Sequence, residues 1–338
     1  MPSVHYAGLA LKAVDYELLY LRNSFLKGRS LNTAAFFFAG RKKGINMINI
    51  AAYITLIAIW STTPLAIKWS AMDVSFAGAI FWRILLSALL ALLVLKIRGE
   101  RLFIKPGVWR FYAITAAGIA PNFLLVYWSS LWISSGLISV IFSLTPFLMG
   151  ILSYYWLGKN VFTVRRLIAL FIAVIGLIII FSDQLLVIGD QGAYGIMAML
   201  LSIVSFAVSS TWLQKTGASV PVLQTTTGGL CFSVPPLALC WWILDGELPF
   251  DVSLQGGLSI LYLGIVGSLI GFFLYYFLLH RITATVVSTV GMISPVFALA
   301  LGSMLAGEDL SLRLMTGAAM VLLGVALYHT PSFKKRIL

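Results

Sequence analysis

Long runs of apolar residues alternate along this chain with short polar segments. Each run is about twenty residues long, which is the length that crosses a lipid bilayer as an α-helix. A transmembrane β-barrel would show shorter segments with strict alternation instead. The pattern predicts ten membrane spans, at residues 48–69, 75–95, 109–130, 134–157, 166–183, 193–214, 221–244, 257–279, 283–306 and 312–330. The fold class expected from it is an all-α integral membrane protein.

The composition agrees with this interpretation and narrows the function. Of the 338 residues, 60% are hydrophobic and only 10% are charged, whereas a soluble domain has about 25% charged residues. The net charge of +12 does not indicate nucleic-acid binding, because the basic residues lie scattered between the apolar runs. The two cysteines indicate neither a disulfide framework nor a metal site. With no catalytic constellation and no Walker loop in context, we expect no enzyme and no cofactor.

The charged residues predict the orientation in the membrane, because Lys and Arg are enriched in cytoplasmic loops. With ten spans, one side carries Arg41, Lys42, Lys43, Lys96, Arg98, Arg101, Lys105, Lys159, Arg165, Arg166, Lys215, Arg281, Lys334, Lys335 and Arg336. The other side carries Asp73, Asp183, Asp190, Asp245, Glu247, Asp251, Glu308 and Asp309, with Arg313 as its main basic residue. We therefore predict a multi-pass protein of a bacterial inner membrane with both termini cytoplasmic.

The sequence repeats internally at an offset of 149 residues. The matched pairs include Gly118 and Gly267, Tyr127 and Tyr276, Pro146 and Pro295, and, after a slip of one residue, Gly176 and Gly324. Because the repeat unit contains five spans, an odd number, the second copy crosses the membrane in the opposite sense. Inverted repeats are typical of secondary transporters, whose substrate site lies between the copies near the midplane. The domains expected are a cytoplasmic segment (1–46), two repeats (47–185 and 190–330) and a basic tail (331–338).

Four segments carry a family pattern: IWSTTPLAIKW, FWRILL, SVIFSLTPFLMGILSYYWLGK and VVSTVGMISPVFALALGSMLAGE. They resemble the EamA family of the drug/metabolite transporter superfamily, over about residues 47–330. The resemblance implies ten helices in two inverted halves and the transport of small metabolites, often the export of amino acids or related compounds. The chain departs from the pattern where Gly158 is followed by Lys159, since the second copy has Gly307 and Glu308. Any role of the first-half glutamate in the family is therefore not available here.

Arg83 is the one charged residue predicted well inside a span, about 12 Å along the helix axis. A charge at this depth is costly and faces the protein interior or a water-filled cavity. It either attracts an anionic group such as a substrate carboxylate, or it snorkels or binds carbonyls of span one as a structural tie. Lys68, near the end of span one, is expected to snorkel.

Other polar and aromatic residues within the spans are candidates for the substrate site. Aromatic walls with a few polar groups suit an amphipathic small molecule, although Ser and Thr also satisfy their own helix backbones. Prolines at matched places in spans four and nine predict hinges or static bends. Together with Arg83, the predicted substrate-binding residues are Trp60, Thr62, Thr63, Asn122, Tyr127, Ser143, Thr145, Gln224, Tyr275, Ser288 and Ser294.

These observations predict a secondary transporter of small metabolites, an exporter of amino acids or related compounds that works by alternating access. Its partners are a small-molecule substrate and the lipid bilayer, and no nucleic acid. A nucleotide-sugar or phosphate-ester exchanger stays open as an alternative, although phosphate calls for several embedded basic residues. A scaffold or sensor without transport is a third hypothesis. Small residues such as Gly150 and Gly302 fit either a homodimer or packing within one chain.

Residues 1–46 allow two interpretations. Leu11, Val14, Leu18, Leu21 and Phe25 recur at helical spacing, which predicts an amphipathic helix on the cytoplasmic leaflet. Alternatively, translation begins at Met47 and the preceding stretch has no selected role.

Overall fold

The computed structural model describes residues 47–102, 107–158, 163–187, 189–216, 220–248, 252–282, 287 and 290–329. The predicted amphipathic helix, the basic tail, Lys159 and Ser288 lie outside these ranges. The chain divides into two units after Leu56. Of the first unit, the described part is the beginning of one helix, at Met47–Leu56, and the contacts discussed below all lie within the second unit.

The described residues form helices and no strands. The α-helices are, in chain order, α1 (Met47–Asp73), α2 (Phe76–Ile97), α3 (Val108–Ala117), α4 (Ala120–Ser129), α5 (Ser135–Phe142), α6 (Thr145–Leu157), α7 (Val164–Val187), α8 (Asp190–Thr216), α9 (Val222–Leu244), α10 (Leu254–Tyr262), α11 (Gly271–Arg281), α12 (Val290–Ala306) and α13 (Leu312–His329). A π-helix, Leu263–Ile270, joins α10 to α11.

Eight helical segments of the described part are long and apolar enough to cross a membrane, and two shorter apolar helices follow them. Helices α3 and α4 together form span three, α5 and α6 form span four, and α10, the π-helix and α11 form span eight. Each predicted span therefore coincides with a helical segment. The predicted fold class, ten helices in two inverted five-helix repeats, is confirmed.

The matched prolines of spans four and nine have different local structures. In span four, α5 ends at Phe142 and α6 begins at Thr145, so Pro146 lies in the first turn of a new helix, where its missing N–H costs no helix hydrogen bond. In span nine, Pro295 lies inside the continuous helix α12. The two copies thus share the proline but not the helix break.

Four helices of this fold begin with a serine cap, and each beginning also holds a carboxylate. Each capping hydroxyl accepts a hydrogen bond of 2.9–3.2 Å from the backbone N–H group three residues later in the chain. The capping residues are Ser75, Ser134, Ser253 and Ser311. Hydroxyls at these helix starts donate to carboxylates in the pairs Ser75–Asp245, Ser135–Glu308, Ser253–Asp73 and Ser311–Asp183. Negative charge is stabilised there by the positive end of the helix dipole. These four acidic residues therefore stabilise the starts of spans two, four, eight and ten.

Spans five and ten pack closely through glycines. A Cβ atom added at Gly176 of α7 would lie 2.6 Å from the backbone oxygen of Gly317 in α13, and one at Gly324 would lie 2.6 Å from the backbone oxygen of Ala169. Such approaches exclude any larger residue unless the helices move apart, which is the usual role of small residues between membrane helices. Gly176 and Gly324, which the repeat matches, thus have the same packing role in the two helices.

Candidate functional site

A narrow cavity lies between the two repeats and contains about 350 Å³ of space, including its open mouth. The first repeat contributes Trp60, Phe142, Thr145, Pro146 and Met149, and the second contributes Phe206, Tyr275, Leu279, Val287 and Gly291. The repeat offset relates Phe142 of span four to Gly291 of span nine, and both line the cavity. The location agrees with the position that the repeat predicts for a substrate site.

Four aromatic rings contribute to the cavity wall. The Trp60 and Tyr275 ring centroids are 5.5 Å apart, those of Phe206 and Tyr275 are 5.4 Å apart, and those of Phe142 and Phe206 are 5.3 Å apart. These separations lie in the favourable range for aromatic pairs. We call this group, Trp60, Phe142, Phe206 and Tyr275, the aromatic cluster.

Two hydroxyls of the cavity wall are bonded to other protein groups. The Tyr275 hydroxyl donates to Ser210 Oγ at 3.0 Å, and Thr145 Oγ1 donates to the Phe142 carbonyl oxygen at 2.6 Å. The surface that remains is mainly apolar and aromatic. It can hold an apolar or aromatic group, and its ring faces attract cations.

Arg83 lies outside the cavity lining and is fully buried in α2. Its Nε donates to the Ser268 hydroxyl at 2.7 Å, and its guanidinium carbon lies 4.5 Å above the ring of Phe123. Among the described residues, the partner of this side chain is therefore a hydroxyl of the second repeat, not a span-one carbonyl. The guanidinium links α2 to the π-helix in the middle of span eight.

The π-helix itself is a feature that the sequence analysis did not predict. The Ser87 hydroxyl lies 2.7 Å from the backbone oxygen of Arg83 and 2.8 Å from that of Gly264, so it also connects α2 to the π-helix. π-Helical turns are rare and occur frequently at functional sites. This one presents Ser268 to Arg83, and α11, which follows it directly, presents Tyr275 to the cavity.

The structure brings three of the predicted binding residues together in the cavity: Trp60, Thr145 and Tyr275. Three others join helices or loops away from the cavity lining. Their contacts are Thr62 Oγ1 with the Tyr262 hydroxyl at 2.5 Å, Asn122 Oδ1 with Ser202 Oγ at 2.6 Å, and Gln224 Nε2 with the Arg101 carbonyl oxygen at 2.9 Å.

The remaining predicted residues have local contacts. Three hydroxyls donate to backbone oxygens of their own spans: Thr63 to Ile59, Ser143 to Val140 and Ser294 to Val290. Tyr127 is buried, with its ring 5.9 Å from the Arg83 guanidinium carbon. Ser288 lies outside the described residues.

Sequence reasoning missed Phe142, Phe206 and Met149 as cavity residues and Ser268 as the partner of Arg83. In a membrane protein, apolar side chains face lipid as readily as they face a cavity, so hydropathy does not separate Phe206 from Phe171, which is 67% exposed. The repeat offered one signal, since it pairs Phe142 with a glycine in the segment facing it.

Lys68, for which the sequence predicted snorkelling, pairs with a carboxylate. Its Nζ is 2.9 Å from Glu308 Oε1, and the same carboxylate accepts hydrogen bonds from the Ser135 backbone N–H at 2.8 Å and the Ser135 hydroxyl at 2.9 Å. Burial alone would raise the pKa of Glu308, but the hydrogen bonds from Ser135 and the nearby Lys68 charge outweigh it and lower the pKa. We call Lys68, Ser135 and Glu308 the loop contact; it joins spans one and four to the loop between spans nine and ten.

Comparison with known proteins gives two separate matches to the EamA-like transporter family, at residues 47–182 and 193–330, one in each repeat. A protein described as an uncharacterized transporter from Archaeoglobus fulgidus is 27% identical over 272 residues, covering 80% of this chain and 94% of its own. Protein PecM from Dickeya dadantii is 26% identical over 241 residues, covering 70% and 80%. One solved crystal structure, 18% identical, aligns with a TM-score of 0.61 over 82% of this chain and 95% of its own, which shows a shared fold.

Proposed function

Because the chain belongs to the EamA-like transporter family, we propose that it is a secondary transporter that exports amino acids or related amphipathic compounds by alternating access. The assignment to a multi-pass membrane transporter family rests on the two family matches and on relatives that are named transporters. The substrate class and the direction of transport are our proposal.

The observation that carries the proposal is the aromatic cavity between the two repeats. Side chains from spans one, four, six, eight and nine surround it, so a movement of one repeat against the other changes access to it. The cavity is narrow in the present conformation, and a bound substrate requires the rings to separate. In the proposed cycle the aromatic cluster holds the apolar part of the substrate.

The exchange of phosphate esters is less well supported. Phosphate groups are usually held by several basic side chains, and Arg83 is the one fully buried basic residue in the described part of the chain. A scaffold without transport would not need a cavity at the repeat boundary.

We also propose a bacterial inner membrane as the location, with both termini in the cytoplasm and the serine–carboxylate pairs on the opposite side. The charge alternation along the sequence supports this orientation.

A homodimer is not needed to explain the small residues noted above. A Cβ at Gly150 would meet Tyr328, and one at Gly302 would meet Glu308, both in the same chain.

The test is efflux from vesicles that contain the purified protein, measured for a panel of labelled amino acids, purines and sugar phosphates. We expect one chemical class to move. Replacing Phe206 by Ala opens the aromatic cluster and should lower the rate at least about tenfold. Phe171→Ala is the matched control, because the same ring is removed from an exposed position. If the folded protein moves no compound of the panel, transport is contradicted and the scaffold hypothesis is favoured.

A further inference from the structure

Arg83 carries a buried positive charge that the described protein groups do not balance. The described ion pairs are Lys68–Glu308 and Arg98–Glu100, and neither includes Arg83. Its Nε is bonded to Ser268, but Nη1 and Nη2 have no hydrogen-bond partner among the described residues. A buried guanidinium with two unused donor atoms is unfavourable unless an anion or another acceptor meets it. A negatively charged group beside the guanidinium would therefore be stabilising.

One guanidinium nitrogen of Arg83 lies beside Gly267. A Cβ atom added at Gly267 would lie 3.3 Å from Leu263 Cδ2, 3.5 Å from Arg83 Nη2 and 3.7 Å from Thr63 Oγ1. Glycine at this position thus leaves out a methyl group that would contact the guanidinium nitrogen. The hydroxyl of Tyr127, whose ring lies beside the guanidinium, is also buried without a partner among the described residues.

This position is close to the aromatic cluster. Thr63 and Trp60 lie one turn apart on α1, and Gly267 and Gly271 lie about one turn apart on span eight. A Cβ at Gly271 would lie 3.7 Å from Trp60 Nε1. One helical turn rises about 5 Å, so the guanidinium and the cavity are separated by roughly the length of a short alkyl chain.

We infer that Arg83 is an anion-binding residue, which takes the carboxylate of a substrate whose apolar body occupies the aromatic cluster. A planar carboxylate matches the two open nitrogens of a guanidinium in a bidentate pair. A single embedded cation balances one negative charge, which favours a monocarboxylate over a phosphate dianion.

This inference rests on the proposed transport function. Arg83 is fully buried beneath Phe123 in the present conformation, so a ligand reaches it only when the repeats move. It adds to that function a charge requirement: among amino acids and related amphipathic compounds of similar size, the protein selects those with a free carboxylate over their neutral derivatives.

The test compares binding of three matched compounds to the purified full chain in detergent by calorimetry. We expect 3-phenylpropionate and L-phenylalanine, which both carry the carboxylate, to bind about 10- to 100-fold more tightly than neutral 3-phenylpropionamide, in line with a charge-assisted hydrogen bond. Arg83→Gln should remove the preference for the carboxylate over the amide. Lys96→Gln, which removes a positive charge from an exposed position on the same helix, should leave it unchanged.

A second variant covers the case in which Arg83→Gln does not fold. Gly267→Ala keeps the guanidinium and its Ser268 bond but places a methyl group beside Nη2, and it should lower the affinity for the carboxylate more than that for the amide.

Equal binding of carboxylate and amide by the wild-type protein overturns the inference, as does an unchanged preference in folded Arg83→Gln. If chloride displaces 3-phenylpropionate as effectively as a second carboxylate does, the site binds free inorganic anions, and this result also overturns the inference. If the protein in vesicles transports other compounds without preferring carboxylates, this inference alone is refuted. If it transports none of the compounds tested, the transport function is refuted.

Discussion

The loop contact gives the sharpest prediction about stability. The side chain of Glu308 is 5% exposed, and it holds three hydrogen bonds between 2.8 and 2.9 Å, from Lys68 Nζ and from the backbone and hydroxyl of Ser135. Replacing Glu308 by Ala leaves the Ser135 N–H at the start of α5 without a hydrogen-bond acceptor. It also leaves the Lys68 ammonium group without its carboxylate partner. We expect a clear loss of free energy of unfolding.

The magnitude follows from the individual contacts. Hydrogen bonds to a charged group contribute about 1.5–3 kcal/mol each, but Lys68 is 27% exposed and regains water, so its share is about 0–1 kcal/mol. The two bonds from Ser135 are not additive, because they share one carboxylate. The expected loss for Glu308→Ala is about 3 kcal/mol. For Glu308→Gln, whose amide oxygen still accepts from the Ser135 N–H, it is about 1–2 kcal/mol.

The assay is denaturant unfolding of the purified protein in detergent micelles, followed by circular dichroism. Asp309→Asn is the matched control, because it removes a negative charge from the neighbouring exposed residue and should change stability by less than about 0.5 kcal/mol. If Glu308→Ala and Asp309→Asn are equally stable, the contact does not stabilise the fold, and the reasoning from its hydrogen bonds is refuted.

Three further predictions concern pH, packing and the cavity. Because the pKa of Glu308 in the folded protein is lowered from its ordinary value of 4.5, its contribution to stability is present above about pH 4.5 and is lost as the pH falls through the lowered value. The stability difference between wild type and Glu308→Gln should therefore narrow as the pH is lowered below about 4.5, and a difference that stays constant there would contradict this. Gly176→Ala forces a methyl group to 2.6 Å from a carbonyl oxygen and should cost about 1–3 kcal/mol in the same assay, whereas Gly257→Ala, with its nearest neighbour at 3.9 Å, should be neutral or stabilising. Tyr275→Phe removes the hydrogen bond to Ser210 but keeps the ring, so vesicle efflux should fall less than for Tyr275→Ala; equal losses would show that the hydroxyl, not the ring, is required.

The fold could be predicted from the sequence because its determinants are local or periodic. A helix in lipid must satisfy its own backbone hydrogen bonds, so each long apolar run is also a helix, and the charged loops and the repeat fix their number. Span four shows the limit of this reasoning, since its apolar run was treated as one helix although it is interrupted between Phe142 and Thr145.

The site was only partly predictable because its contacts join residues that are distant in sequence. Trp60 and Tyr275 were found because aromatic residues beside polar ones stand out in a span. Phe206 was missed because phenylalanine is common on lipid-facing surfaces. The pairing of Lys68 with Glu308 and that of Arg83 with Ser268 depend on which helices are neighbours, and neither hydropathy nor loop charge contains that information.

The π-helix of span eight has a consequence for how the chain tolerates changes in length. Each π turn accommodates one residue more than an α turn, so removing one amino acid between positions 263 and 270 would let the segment close into a regular α-helix. The π turn would absorb such a deletion, so α10 and α11 would keep nearly the same angular phase and Tyr275 would still face the cavity. The same deletion in a helix without a π turn, such as α2, would rotate the residues that follow it by about 100° and shift them by about 1.5 Å. A one-residue deletion should therefore be tolerated better in the π-helical segment of span eight than in the middle of α2.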